Sequence, residues 1–200
     1  MTPPPAVRLP QPEFAGEVSV EQALLSRRSE RAFSQRALSL AELSQLLWAA
    51  QGVTSPRGWR TAPSAGARYP LEIHAAAGLV VELPAGIYRY RGRDHSLIPS
   101  AAGDPRAELA HAALDQRFVA RAAVVLVIAA VYARTCTAYG PRGVRYADME
   151  AGHAAQNIGL QAVALGLGAV MVGAFDDAQV RRIAALPPDE EPLYLIPIGR

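Results

Sequence analysis

The stretch Arg145–Asp177, RYADMEAGHAAQNIGLQAVALGLGAVMVGAFDD, restricts the fold more than any other part of the chain. Its pattern predicts one long helix, a glycine turn, a short buried strand and an acidic break. Gly152, Gly159 and Gly166 recur every seven residues, with Ala155 and Ala162 between them. Residues three, four and seven apart share a helical face, so these positions form a stripe almost without side chains. A glycine inside a helix costs about 1 kcal/mol relative to alanine. Three on one face imply that something approaches the backbone closely. Glu150, His153, Asn157 and Gln161 make a polar line, and most other positions are apolar. A helix with so little charge beyond Glu150 is expected to be buried on most sides, inside the domain or against a second subunit.

The rest of the chain is long enough to build one core around this helix. It has 200 residues, half of them hydrophobic, and a formal net charge of only +2. Those values fit a single soluble globular domain and exclude a disordered or nucleic-acid-coating chain. Residues 1–16 are proline-rich and are expected to form an extended arm, with 17–200 as one domain. Ser19 with Gln22, and Ser39 with Glu42, have capping-box spacing and open two helices. Residues 53–70 read as a long loop, a class that is usually functional in compact domains. Leu71–Leu79, Gly86–Tyr90 and a hairpin ending near Leu97 read as strands, and the apolar run Ala122–Tyr132 as a fully buried central one. Asp104–Gln116 reads as helix, Ala133–Tyr146 as an arginine- and tyrosine-rich loop and Ala169–Ala174 as strand. A short helix over Asp177–Ala185 and a buried strand over Leu193–Ile198 complete an α+β sandwich, its sheet covered by helices.

All 20 basic residues are arginine. Schiff-base and P-loop lysine chemistry are therefore excluded, and arginine must supply any anion binding, for which its planar fork donates in pairs. Cys136 is the single cysteine, which rules out an intrachain disulfide and a cysteine-based zinc cage. His74, His95, His111 and His153 lack ligand spacing, so no metal is expected. The longest apolar run falls short of the roughly 20 residues that span a bilayer, and the first residues lack a signal-peptide core. The expectation is a cytoplasmic protein with neither membrane nor nucleic acid as partner.

Four places concentrate unusual residues. In RRSER, Arg27–Arg31, two adjacent arginines, a hydroxyl and a further arginine can surround a phosphate; Arg27 and Arg28 would equally complement the negative end of their helix. In APSAGARYP, residues 62–70, small residues let a flat ligand reach the main chain, although proline, serine and glycine are also ordinary turn chemistry. In VGAFDD, residues 172–177, Gly173 permits close approach of a planar group, or simply a tight strand-to-helix connection. The terminal IGR ends on Arg200, directly after an apolar strand, where a cation is well placed for a buried anion.

Taken together and in this order, these segments resemble the nitroreductase family of flavoproteins, and within it the SagB-type branch. The residues that carry the resemblance are RRSERAF, TAPSAGARYPLEIH, GIYRYRGRDHSL, YGPRGVRYADMEAGHAAQNIGLQAVALGLG, VGAFDD and EPLYLIPIGR, nearly the whole chain from Leu9. The resemblance implies an α+β nitroreductase-like sandwich with a central, mainly antiparallel sheet flanked by helices. It also implies a homodimer built on long central helices, with non-covalent FMN at the interface. Arg27, Arg28, Ser29, Arg31 and Arg200 would hold the phosphate and ribityl chain. Ser64, Ala65 and Gly66 would lie along the flavin from the other subunit. Gly173 and Ala174 would face the isoalloxazine edge near N5, and Gln156 and Asn157 would support the cofactor loop. NADH or NADPH would donate hydride and a small oxidant, nitroaromatic or quinone, would take it in a ping-pong cycle that needs no side-chain acid or base. One departure bears on the branch. SagB-type azoline dehydrogenases, which oxidise thiazoline or oxazoline rings in peptides, use a Lys-Tyr pair before the long helix; here the corresponding residues are Ala138 and Tyr139. Tyr139 remains a candidate substrate contact. The alternatives are that azoline activity, a flavin-binding or flavin-processing module without reductase turnover, and a homodimerisation domain without cofactor.

Overall fold

In the computed structural model, which describes residues 5–200, the apolar run becomes a strand buried on both faces. The elements in chain order are β1 (Val7–Arg8), α1 (Val20–Ser26), α2 (Leu40–Gln51), β2 (Leu71–Ala77), β3 (Gly86–Arg91), β4 (Ser96–Ala102) and α3 (Arg106–Ala112). They continue with α4 (Phe118–Arg121), β5 (Val124–Ala130), α5 (Tyr132–Tyr139), α6 (Arg142–Ala164), β6 (Gly168–Ala169), α7 (Asp177–Ile183) and β7 (Glu191–Gly199). The seven strands form one sheet in the order β1-β4-β3-β2-β5-β7-β6, and every pairing is antiparallel. Successive strand residues face opposite sides. Val124, Leu126, Ile128 and Ala130 of β5 therefore pack with α2 and α6, whereas Val125, Val127 and Ala129 pack with α3, α4 and α7. This is the α+β sandwich expected from the pattern, and each fully buried large aliphatic side chain of β5 contributes about 1.5–3 kcal/mol to it.

Several local expectations are corrected. Residues 133–146 are not a loop: α5 runs to Tyr139, Gly140 (φ 56°, ψ −149°) and Pro141 break the chain, and α6 starts at Arg142. The two helices are held together by Tyr132 donating to Asp148 at 2.6 Å and by an edge-to-face Tyr139–Tyr146 contact. The strand after α6 covers only Gly168–Ala169, followed by an isolated bridge between Val172 and Leu195. Pro197 lies opposite Val170 and accepts from its N–H, but proline has no N–H to return, so the ladder stops. The helix expected from Asp104 is shorter, since Leu114 and Asp115 have positive φ.

The capping-box expectation holds fully at Ser39 and Glu42. At α1, Ser19 accepts from the Gln22 N–H, while the Gln22 side chain turns to Ser26 instead. Residues 1–4 of the arm lie outside the described residues. Beyond them Val7 pairs with Leu97, Ser44 Oγ donates to the Pro10 carbonyl at 2.6 Å, and Phe14 stands 5.4 Å from the Trp48 ring.

The small-residue stripe divides into three roles. Gly159 is buried where α6 passes α1; a Cβ there would lie 2.8 Å from Met171 Cε and 3.4 Å from Arg27 Cδ. Gly152 faces open space. Gly166 sits beyond the end of α6 with φ 66°, so it stops the helix rather than lining its face. A contact within the chain, not a second subunit, is what Gly159 makes room for.

Candidate functional site

Helix α6 is about 34 Å long, and the residues expected to bind a ligand gather near its two ends. At the C-terminal end, α1 finishes at Ser26 and the following residues run beside β6. Ser29 bridges to Ala169 and the Glu30 N–H donates to the Ala169 carbonyl at 3.1 Å. β6 pairs in turn with the end of β7, bringing Arg200 to the same edge, where its carbonyl accepts from the Ser34 N–H. The backbones of Ser29 and Arg200 therefore lie along one edge of the sheet, with Arg27, Arg28 and Arg31 on the chain beside it.

Their charges are disposed unequally. Arg28 Nη1 donates to the Leu25 and Arg27 carbonyls at 2.9 and 2.8 Å, covering the end of α1. Arg31 reaches the Ser29 carbonyl and stands 5.7 Å over the Phe118 ring. Arg200 pairs with Glu42. Among the described residues, none of Arg27, Arg28 and Arg31 is paired with a carboxylate. Three unneutralised guanidinium groups at one edge favour an anionic ligand.

Gly173 follows on from this edge. Val170 and Val172 point to the α3–α7 side of the sheet, while Met171 packs on the α6 side. Alternation places Gly173 on the α6 side with Met171. It is exposed, and a Cβ there would meet only Tyr194 Cε1 at 3.9 Å. Ala174 is also exposed, its carbonyl accepting from Gln116 Nε2 at 3.2 Å.

Ser64, Ala65 and Gly66 lie elsewhere, near the N-terminal half of α6. They form a tight turn in which Gly66 has φ 56°, and a Cβ there would fall 2.6 Å from the Tyr139 hydroxyl. Ser64 Oγ accepts from the Tyr69 N–H at 2.8 Å. Between the two ends, Asn157 Nδ2 donates to the carbonyls of Ala49 and Thr61 at 3.1 and 3.3 Å, tying α6 to α2 and to the loop before the turn. Its neighbour Gln156 is exposed. One chain thus does not join the arginine edge to the Ser64 turn.

Near that turn lies a cluster that the polar line Glu150, His153, Asn157 and Gln161 does not reveal in the sequence. Glu150 is 2% exposed. Burial pushes its pKa up to about 7, against the opposing influence of Ser64, Arg60 and Gln51. Its Oε1 and Gln51 Nε2 have no hydrogen-bond partner. Arg60 donates to Gln51 Oε1 at 2.9 Å and stacks 4.6 Å from the Tyr69 ring centroid. Burial lowers the Arg60 pKa, partly offset by Glu72. Arg134 links the Tyr69 carbonyl to Glu72 at 3.1 and 2.5 Å.

A cleft of about 510 Å³ opens between the arm, α1, α2 and the end of α6, with Phe14, Val20, Trp48 and Leu165 on its walls. It borders Asn157 but contains none of the arginines and neither Gly66 nor Gly173. Among the described residues, no helix is long and apolar enough to cross a membrane.

The Nitroreductase family pattern matches residues 24–200. A nitroreductase homologue of Methanocaldococcus jannaschii is 48% identical over 194 residues, 97% of this chain and 96% of its own. The crystal structure of a nitroreductase homologue from Ralstonia eutropha JMP134 superposes with a TM-score of 0.86 and 33% identity, over 100% of this chain and 91% of that one. A chain of the E. coli microcin synthetase McbBCD complex with truncated pro-MccB17 bound has a TM-score of 0.74 and 25% identity, over 96% and 77%. By fold, by sequence and by extent of match, this chain belongs to the nitroreductase family, and it is an oxidoreductase of that kind.

Proposed function

We propose that the protein is an FMN-dependent oxidoreductase that passes hydride from NADH or NADPH to a nitroaromatic, a quinone or a similar small oxidant. The observation that carries this reading is the edge where Arg27, Arg28 and Arg31 stand without carboxylate partners, close to Arg200. Such an edge fits a phosphate, and the open space beside Gly173 fits a planar ring. FMN, when bound, would supply the hydride-accepting and hydride-donating N5 atom. The chain's part is binding and orientation. Arg27, Arg28, Ser29 and Arg31 would hold the phosphate and ribityl chain, and Arg200 would join them by exchanging Glu42 for the ligand. The Gly173 and Ala174 backbone would approach the ring edge, and the exposed face of the ring would admit donor and oxidant in turn, a ping-pong cycle.

The same reading calls for a homodimer, because the Ser64–Gly66 turn lies away from the arginine edge and would come from the second subunit. Val20, Leu24 and Leu25 on α1, with Val144 and Met149 on α6, expose apolar side chains suited to such a contact. Residues 1–16 would serve as an arm on the single domain 17–200. A cytoplasmic location fits the donor. A second reading is azoline oxidation in the manner of the SagB-type branch that the motifs resemble, with Tyr139 as substrate contact. Against it stands Ala138, which leaves no lysine to take a proton. The two are separated by incubating FMN-loaded protein with an NAD(P)H–quinone pair and with a thiazoline peptide. Turnover of the pair alone supports the reductase, turnover of the peptide supports the second reading, and FMN binding without either indicates a flavin-binding or flavin-processing module.

A further inference from the structure

The turn at residues 64–69 is held in a conformation that its own sequence disfavours. Gly66, Ala67 and Tyr69 have φ of 56°, 52° and 47°, and a left-handed φ is rare for a residue as bulky as tyrosine. Tyr69 also precedes Pro70, and a proline normally drives the residue before it to extended backbone. Outliers of this kind persist only where the surroundings over-determine them, and they gather at ligand clamps and active sites.

Tyr69 is over-determined in that sense. Its N–H donates to Ser64 Oγ at 2.8 Å, and its carbonyl accepts from Arg134 Nη1 at 3.1 Å. Its hydroxyl accepts from the Arg60 backbone N–H at 3.3 Å, and the Arg60 guanidinium stands 4.6 Å from its ring centroid. Both arginines are fastened in turn to regular elements. Arg60 donates to Gln51 at the end of α2. Arg134, on α5, donates to Glu72 on β2, which Arg89 of β3 also holds. Yet residues 66–68, inside the turn so fixed, are exposed. The contacts therefore do not serve to bury the turn. What they achieve is a small-residue backbone held still at the surface by rigid supports, as a precise binding site requires.

We propose that Tyr69 is a positioning residue: clamped by Arg60 and Arg134, it fixes Ser64 through its amide and presents the Ser64–Gly66 backbone to the ligand. This rests on the reading that the turn faces the flavin of the second subunit, but the clamp itself is measurable without flavin.

The test compares wild type with Arg134→Met, Arg134→Lys and Tyr69→Leu. Arg134→Met removes the donor to the Tyr69 carbonyl, and Glu72 keeps Arg89 as a partner. In flavin-free protein, hydrogen exchange reads the amides of Ala67 and Tyr69, which both donate to Ser64. They should exchange about tenfold faster in Arg134→Met, the worth of one charge-assisted hydrogen bond. Exchange should be faster still in Tyr69→Leu and close to wild type in Arg134→Lys, which keeps a donor. FMN affinity, titrated by fluorescence, should fall about tenfold in Arg134→Met and recover in Arg134→Lys, with little change in the urea midpoint. A merely structural clamp gives the reverse, a lower urea midpoint with unchanged FMN affinity of the folded protein. That result, or equal exchange in wild type and Arg134→Met, would overturn the proposal. If Tyr69→Leu does not fold, the two Arg134 variants decide the matter. A wild type that takes up no FMN refutes the flavin reading, while the exchange rates still judge the clamp.

Discussion

Replacing Glu150 by glutamine should change how stability depends on pH in a defined direction. The carboxyl group has an ordinary pKa of 4.5 and is pushed up to about 7 in the fold, with burial as the leading cause. Below the ordinary value the group is protonated in both states and contributes no pH dependence. Between that value and about 7 the unfolded chain has released its proton while the folded chain keeps it, so stability falls as pH rises. Above about 7 both are ionised and the loss is complete. At about 1.4 kcal/mol for each pH unit of difference, the wild type loses about 3 kcal/mol across this window. Little discount for solvent applies, because Glu150 is almost fully buried. Glutamine cannot ionise, so the variant keeps that stability, apart from a constant offset from its amide contacts with Gln51 and Arg60. The assay is urea unfolding at several pH values, with protein concentration and cofactor loading held fixed. The stability difference between variant and wild type should grow by about 3 kcal/mol from pH 4.5 to pH 8. A difference that stays level would refute the argument that burial governs this acid.

Three further substitutions probe other parts of the account. Gly143→Ala should destabilise by about 2 kcal/mol, seen as a Tm lower by about 4–8 °C: the helix gains about 1 kcal/mol in propensity, but the new Cβ would lie 2.6 Å from the Cys136 backbone nitrogen, which cannot move aside cheaply. Arg28→Ala should weaken FMN binding at least about tenfold in a fluorescence titration while costing only about 1 kcal/mol of stability. Unchanged FMN affinity would leave Arg28 as a cap for the carbonyls of Leu25 and Arg27. Ser44→Ala removes the donor to the Pro10 carbonyl and a contact with His95, so trypsin should cleave after the exposed Arg8 about fivefold faster, with little change in global unfolding.

Much of the scaffold was legible in the sequence because its cause is local. Ser39 and Glu42 announce a capped helix, and the run Ala122–Tyr132 announces a strand buried on both faces, although Val131 and Tyr132 at its end open α5. What was not legible depends on partners distant in sequence. Residues 133–146 read as an arginine- and tyrosine-rich loop, while the contacts that stabilise α5, Tyr132 with Asp148 and Tyr139 with Tyr146, come from α6. The strand after α6 was read too long because the effect of Pro197 is felt in the neighbouring strand rather than its own. The site divides along the same line. Arg27, Arg28, Ser29 and Arg31 are a visible motif, yet their place on the same sheet edge as Arg200 depends on β6 and β7 lying side by side. Glu150 is visible as one member of a polar line on α6, but only the fold buries it with Oε1 unpartnered.

The central claim is that this chain carries FMN as a hydride relay, and one anaerobic spectrum tests it. Protein purified with added FMN and freed of excess should hold one flavin per chain, and NADH or NADPH should bleach its visible absorption, which a quinone should then restore. Protein that retains no flavin, or flavin that neither nucleotide bleaches, would contradict the account.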